Sequence, residues 1–70
     1  MTFRRIAIIG LGLLGGSIGL AIREGLPGAR TTGWDRDPEV REAASRRELV
    51  HRLAETAEEA VADADLVILC

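Results

Sequence analysis

The strongest constraint on the fold of this chain is a set of three glycines placed directly behind an apolar run. Ile6-Ala7-Ile8-Ile9 is followed at once by Gly10-Leu11-Gly12-Leu13-Leu14-Gly15. The run lacks the alternation of a half-exposed strand, which is the pattern of a parallel strand covered on both faces. After the glycines comes a helical pattern, and Asp35 stands 20 residues beyond Gly15. Strand, glycine turn, helix and distant acid together form the dinucleotide-binding fingerprint of a βαβ unit. Gly10 is expected to leave the strand in a turn that a side chain would strain, Gly12 to let a pyrophosphate approach the backbone, and Gly15 to pack the helix on the strand. The helix from Leu13 would turn its free N–H groups and positive dipole end toward the phosphates.

The remaining pattern continues an α/β order. The first helix is expected over Leu13 to Glu24, with Leu14, Ile18, Ala21 and Ile22 toward the sheet. Gly25 suits a left-handed stop, and Pro27 prevents resumption. A second strand, Thr31 to Trp34, ends at Asp35, whose carboxylate would accept from the adenosine ribose hydroxyls and repel a 2′-phosphate. That favours NAD, although Arg36 offers a guanidinium for adenine or for a 2′-phosphate and leaves NADP open. Trp34 is read as a packing residue at the strand end. Asp37-Pro38 opens a second helix reaching Arg46 or Arg47, with Val40, Ala43 and Ala44 inward. Leu49 to Leu53 is apolar but broken by His51 and Arg52, and its structure is left open. Thr56 and Glu59 fit a capping box for a short helix ending near Asp63, and Leu66 to Cys70 forms the next strand. The expected fold is therefore a Rossmann-type doubly wound parallel sheet, of which 70 residues supply only the N-terminal part. The chain reads as a fragment of a longer protein.

Bulk properties exclude several classes. With 47% hydrophobic and 29% charged residues and a net charge of -2, nothing suggests a nucleic-acid partner. The uncharged stretch Ile6 to Ile22 behind Arg4 and Arg5 superficially resembles a signal peptide. Its five glycines and its division into strand, turn and helix argue against membrane insertion. One cysteine, Cys70, rules out an internal disulfide, is read as a small buried core residue, and fits the cytoplasm. His51, the single histidine, is read as a surface or loop residue without a catalytic role. A phosphate-binding NTPase loop would need Gly-Lys-Ser/Thr, and a methyltransferase would carry glycine in place of Leu14. A flavin enzyme remains open.

From Ile6 to Arg23 the chain resembles the start of prephenate and arogenate dehydrogenases, most distinctively in Gly10-Leu-Gly-Leu-Leu-Gly-Gly-Ser17. Gly33-Trp-Asp-Arg-Asp-Pro38 and Ala62-Asp-Ala-Asp-Leu-Val-Ile-Leu-Cys70 extend the likeness, which is loosest from Arg46 to Glu55. The resemblance implies an NAD-dependent oxidative decarboxylation of prephenate or arogenate by a cytoplasmic homodimer. Its catalytic histidine and its helical dimerisation domain lie in further sequence, and His51 is not in the matching motif. Carried over by position, the backbone of Gly10, Leu11, Gly12, Leu13, Leu14 and Gly15 would hold the pyrophosphate, and Asp35 with Arg36 the adenosine end. Ser17 serves either the phosphate site or helix packing. Two other readings use the same fingerprint: another NAD(P) dehydrogenase of the β-hydroxyacid type, which usually carries a methionine in the turn where this chain has leucines, and a non-catalytic dinucleotide-sensing module.

Overall fold

The computed structural model describes residues 3–70. Four strands, β1 (Arg5–Ile9), β2 (Arg30–Trp34), β3 (Arg52–Leu53) and β4 (Leu66–Leu69), alternate with three helices, α1 (Leu13–Gly25), α2 (Pro38–Arg46) and α3 (Ala57–Val61). All strand pairs are parallel and the sheet order is β3-β2-β1-β4. The chain thus winds outward from β1 through β2 to β3, then crosses back to place β4 on the other side of β1. This order creates a switch point between β1 and β4, and a crevice opens outside the carboxyl ends of strands at such a point. The expected doubly wound parallel sheet is what the chain forms.

β1 carries the sheet because it is paired on both sides: Ile8 stands opposite Gly33 of β2 and Ile68 of β4. Its Ile6, Ala7 and Ile8 are almost wholly removed from solvent. The main core lies on one face, where Ile6, Ile8, Leu11, Ala29, Ala44 and Val50 pack together and α1 and α2 cover them. α3 covers part of the opposite face. At the start of β1, the Asp65 carboxylate accepts the N–H groups of Arg4 and Arg5 (3.1 Å each) while its own N–H donates to the Arg5 carbonyl. This pins β4 to β1 at the amino edge and satisfies donors that precede the ladder.

Several local expectations hold. Asp37 caps α2 by accepting from the Glu39 N–H at 2.9 Å, with Pro38 at the first helical position. Thr56 caps α3 by accepting from the Glu59 N–H, but the capping box is only half formed. The Glu59 carboxylate turns away to pair with Arg52. Leu49 to Leu53, left open by the sequence, becomes a buried link at Val50 leading into β3.

Other expectations need correction. Leu14 and Ala21 do not face the sheet; Leu14 is 65% exposed. The buried face of α1 is instead Gly15, Gly16 and Gly19. A Cβ on Gly19 would lie 2.4 Å from the Leu49 carbonyl oxygen, and one on Gly15 would overlap the Gly10 carbonyl. The helix approaches its neighbours so closely that glycines rather than leucines line the contact. Gly25 is not a left-handed stop, since Gly10 is the one described glycine with positive φ. Leu26 terminates α1 at φ -132 and ψ 71, outside the helical region that a following proline disfavours, and its N–H still reaches the Ile22 carbonyl at 2.8 Å. Cys70 is exposed rather than buried, because it lies past the end of β4, the sheet's edge strand.

The left-handed stop of this chain is Glu48, at φ 53, just beyond the Arg47 cap of α2. Leu49 N–H and Glu48 N–H then bond back to the Ala44 and Ser45 carbonyls. A side chain in this conformation costs roughly 1–2 kcal/mol, whereas glycine adopts it freely. Glu48→Gly should therefore raise stability by about 0.5–1 kcal/mol after the extra unfolded-state entropy of glycine is subtracted. Gly19→Ala should act in the opposite sense, lowering it by about 1–3 kcal/mol through the clash with backbone. Urea midpoints of the two variants test both signs.

Candidate nucleotide-binding site

The site forms where the β1 turn, the β2 end and the β4 end meet. Gly10 leaves β1 at φ +99, in the region open to glycine, and a Cβ there would stand 2.6 Å from the Cys70 carbonyl oxygen. Its N–H donates to the Trp34 carbonyl at 2.8 Å, and the Cys70 N–H donates to the Ile9 carbonyl at 2.9 Å. The turn is thus sewn to both neighbouring strands. Leu11 points into the core at 3% exposure, so its apolar side chain anchors the turn while its backbone lines the surface.

Gly12 differs from its neighbours. It is the N-cap of α1, and a Cβ placed on it would meet no protein atom within 4 Å. Packing within the chain does not require glycine there. The space beside it is open, so another molecule could approach this backbone closely. Nor is the helix end neutralised from within: no side chain caps it, and its first turn carries no acid. The first intrahelical bond runs from Gly16 N–H to the Gly12 carbonyl at 2.9 Å, leaving the N–H groups of Leu13, Leu14 and Gly15 ahead of the helical ladder. Leu13 and Leu14 turn their side chains to solvent, at 93% and 65% exposure, so both contribute only backbone to this surface. Unpaired donors and the positive end of the helix dipole together make an anion site.

Asp35 does more than the sequence suggests. One carboxylate oxygen accepts the Leu11 N–H and the other the Asp37 N–H, each at 2.9 Å. From α2, Arg41 reaches the Asp35 carbonyl with its guanidinium. Burial pushes this carboxyl up, but the two backbone hydrogen bonds and the positive charges of Arg36 and Arg41 outweigh it and hold it below its ordinary value of 3.8. Asp35 is ionised throughout the neutral range, and a carboxylate with four lone-pair positions retains acceptor capacity beyond these two bonds. Arg36 lies exposed beside it. Ile9, Gly10, Trp34, Asp35, Arg36 and Cys70 surround a crevice of about 320 Å³ at the sheet's carboxyl edge. Trp34 packs as expected, its ring N–H donating to the Glu55 carbonyl at 3.3 Å, yet one side of it lines this crevice.

Two residues remain apart from the site. Ser17 donates to the Leu13 carbonyl one turn back, so its hydroxyl is used inside α1. His51 stands at the opposite, amino end of the sheet, where its Nδ1 accepts the N–H of buried Thr31 at 3.0 Å. Sequence reasoning missed the Leu11–Asp35 and Arg41–Asp35 contacts. Both join residues with no shared local motif, and a half-buried Arg three residues past a proline cap carries no signal of its target.

The Asp35 linkage has a definite sign. A carboxyl whose folded value lies below its unfolded value contributes stability that is complete above the unfolded value and lost as pH falls through the folded one. Asp35→Asn should therefore flatten the acid limb of stability below about pH 4 and lower stability at neutral pH, since an amide offers one acceptor oxygen where two are used. Urea midpoints at neutral and acid pH would show this. Parallel curves for variant and parent would refute the assignment.

Comparison with known proteins agrees with the fold and with a dinucleotide-binding domain. Residues 5–70 match the family described as the NAD binding domain of 6-phosphogluconate dehydrogenase. Cyclohexadienyl dehydrogenase of Zymomonas mobilis is 38% identical over 69 residues, which is 99% of this chain and 24% of that protein. The crystal structure of prephenate dehydrogenase from A. aeolicus, in complex with hydroxyphenyl propionate and NAD+, superposes with a TM-score of 0.84. Its identity is 23%, with 99% of this chain and 24% of that one covered. The chain therefore spans about a quarter of the length of either relative.

Proposed function

Since the chain belongs to the family of the NAD binding domain of 6-phosphogluconate dehydrogenase, we propose that it is the dinucleotide-binding part of an NAD-dependent dehydrogenase acting on prephenate or arogenate. The observation that carries the binding reading is Gly12, a glycine that nothing in the protein's own packing demands, set at an uncapped helix start. The substrate class rests on the 38% identity to a cyclohexadienyl dehydrogenase along nearly the whole chain. It rests also on Gly16-Ser17 behind the fingerprint, and Leu13 and Leu14 where β-hydroxyacid enzymes usually carry methionine.

In this reading the backbone of Gly10, Leu11, Gly12, Leu13, Leu14 and Gly15 holds the pyrophosphate, with the α1 dipole opposing its charge. Asp35 accepts from the adenosine ribose hydroxyls with the lone pairs that Leu11 and Asp37 leave free, and its negative charge disfavours a 2′-phosphate. Arg36, exposed beside Asp35 on the same crevice, is available to the adenosine end. NAD, once bound, supplies the hydride acceptor for a decarboxylating oxidation whose ring product is aromatic. The residues of this chain bind and orient; the group that polarises the substrate hydroxyl, the helical dimer-forming part and the substrate pocket belong to further sequence of a cytoplasmic homodimer. The 70 residues by themselves are then inactive.

Two measurements test the reading. Gly12→Ala should leave the unfolding midpoint within about 1 kcal/mol of the parent, the scale of an N-cap change, while weakening NAD binding by about tenfold or more through obstruction of the phosphates. Equal NAD affinity in the variant would remove the pyrophosphate assignment. NADH formation by the intact protein, offered prephenate or arogenate with NAD, tests the substrate class. Tight NAD binding without turnover of either acid would move the protein to another dehydrogenase or to a sensing role. Asp35→Ala should narrow the preference for NAD over NADP in the same titrations.

A further inference from the structure

The amino edge of the sheet, remote from the glycine turn, gathers more cationic groups than carboxylates to pair them. Arg30 and Arg52 begin β2 and β3, His51 directly precedes β3, and Arg23 lies in the last turn of α1. These four, with Ser45 and Glu48, surround a crevice of about 340 Å³. Among the described residues only two ion pairs form, Arg46–Glu42 and Arg52–Glu59. Arg23 and Arg30 thus have no carboxylate oxygen within 4 Å, although the chain as a whole carries more acids than bases.

Three further observations bear on this crevice. The Arg23 Nε–H is shielded from solvent and has no hydrogen-bond partner, an arrangement native proteins rarely leave unfilled. His51 has its Nδ1 occupied as an acceptor by the Thr31 N–H, which places the neutral ring's proton on Nε2, free to donate. Burial, followed by the positive charges of Arg23 and Arg30, holds the His51 ring below its ordinary value, so the field of those arginines is felt at the ring. The last turn of α1 explains one cation, since a helix C-terminus favours it. It does not explain a second arginine, a donor imidazole and an orphaned buried N–H at the same crevice.

We propose that this crevice binds a small oxyanion, a carboxylate or phosphoryl group, held by Arg23, Arg30 and the His51 Nε2–H. Guanidinium groups suit such a ligand because they offer paired N–H donors to two oxygens at once. Donors arrive from α1, β2 and the link into β3, so the bound anion would bridge three elements at one end of the sheet. The Glu48 carboxylate at the rim opposes the anion and limits its charge. The site is independent of the nucleotide reading, being at the other end of the strands.

The test uses the His51 ring resonances of the full-length protein, assigned by their loss in His51→Gln. Inorganic phosphate and malonate are titrated separately at constant ionic strength and fixed pH. Because His51 is remote from the glycine turn, phosphate bound there does not move its signal. A saturable shift is expected with at least one anion, and the responding anion separates the phosphoryl from the carboxylate source. Arg30→Met, which removes an exposed side chain, should weaken the apparent affinity by about tenfold, the loss of one charged hydrogen-bonding partner. Glu48→Gln should tighten it, while Arg46→Met, removing an exposed arginine that pairs with Glu42 and does not line the crevice, should leave it unchanged. Absence of saturation with both anions, or equal weakening by Arg30→Met and Arg46→Met, would overturn the proposal.

Discussion

The nucleotide end of this protein depends on one carboxylate. Asp35 closes β2 and reaches across to the Leu11 N–H of the glycine turn while holding the Asp37 N–H that begins α2. Without it, the turn after β1 and the start of α2 would be joined only by apolar packing and through the strands beneath them. Ionised and charge-assisted, such bonds are stronger than neutral ones. The residue that would select the ribose is therefore also a structural member of the phosphate turn, and selectivity cannot be altered there without touching geometry. Arg41, on α2, adds a third connection by bonding the carbonyl of the same residue.

The glycines divide by the kind of neighbour each meets. Gly10 carries the positive φ that turns the chain beside Cys70, Gly15 and Gly19 let α1 sit against backbone, and Gly12 faces open space. The first three serve the fold. Among the three fingerprint glycines only Gly12 has no packing reason within the described residues, and that contrast, at a helix start, is what turns the stretch into an argument for a ligand. The cost of so bare a helix face is that α1 buries little side-chain area of its own. Leu11, Ile8 and Val50 supply the apolar contact beneath it.

At the other end of the strands, polar side chains bind backbone. Asp65 accepts from Arg4 and Arg5, and His51 accepts from Thr31 while Thr31 accepts from His51 in return. Parallel strands leave donors unmatched where they begin, and these contacts supply partners. The two ends of the sheet consequently differ in chemistry: carbonyl ends, a helix start and the Asp35 carboxylate at one, and helix ends with clustered arginines at the other.

By itself, the sequence determined the order of strands and helices apart from β3, the parallel sheet and the candidate residues from Gly10 to Arg36, because these follow from local periodicity, caps and a fixed spacing. The caps Asp37 and Thr56 are where their side-chain chemistry requires them to be. Tertiary structure alone decided which glycines pack and which stays open, why Leu14 faces solvent, and why Glu59 leaves its capping partner for Arg52. It also decided that Asp35 binds Leu11 and that His51 meets Thr31. Each of those outcomes depends on how closely two elements distant in sequence approach, and no pattern within one element encodes that distance.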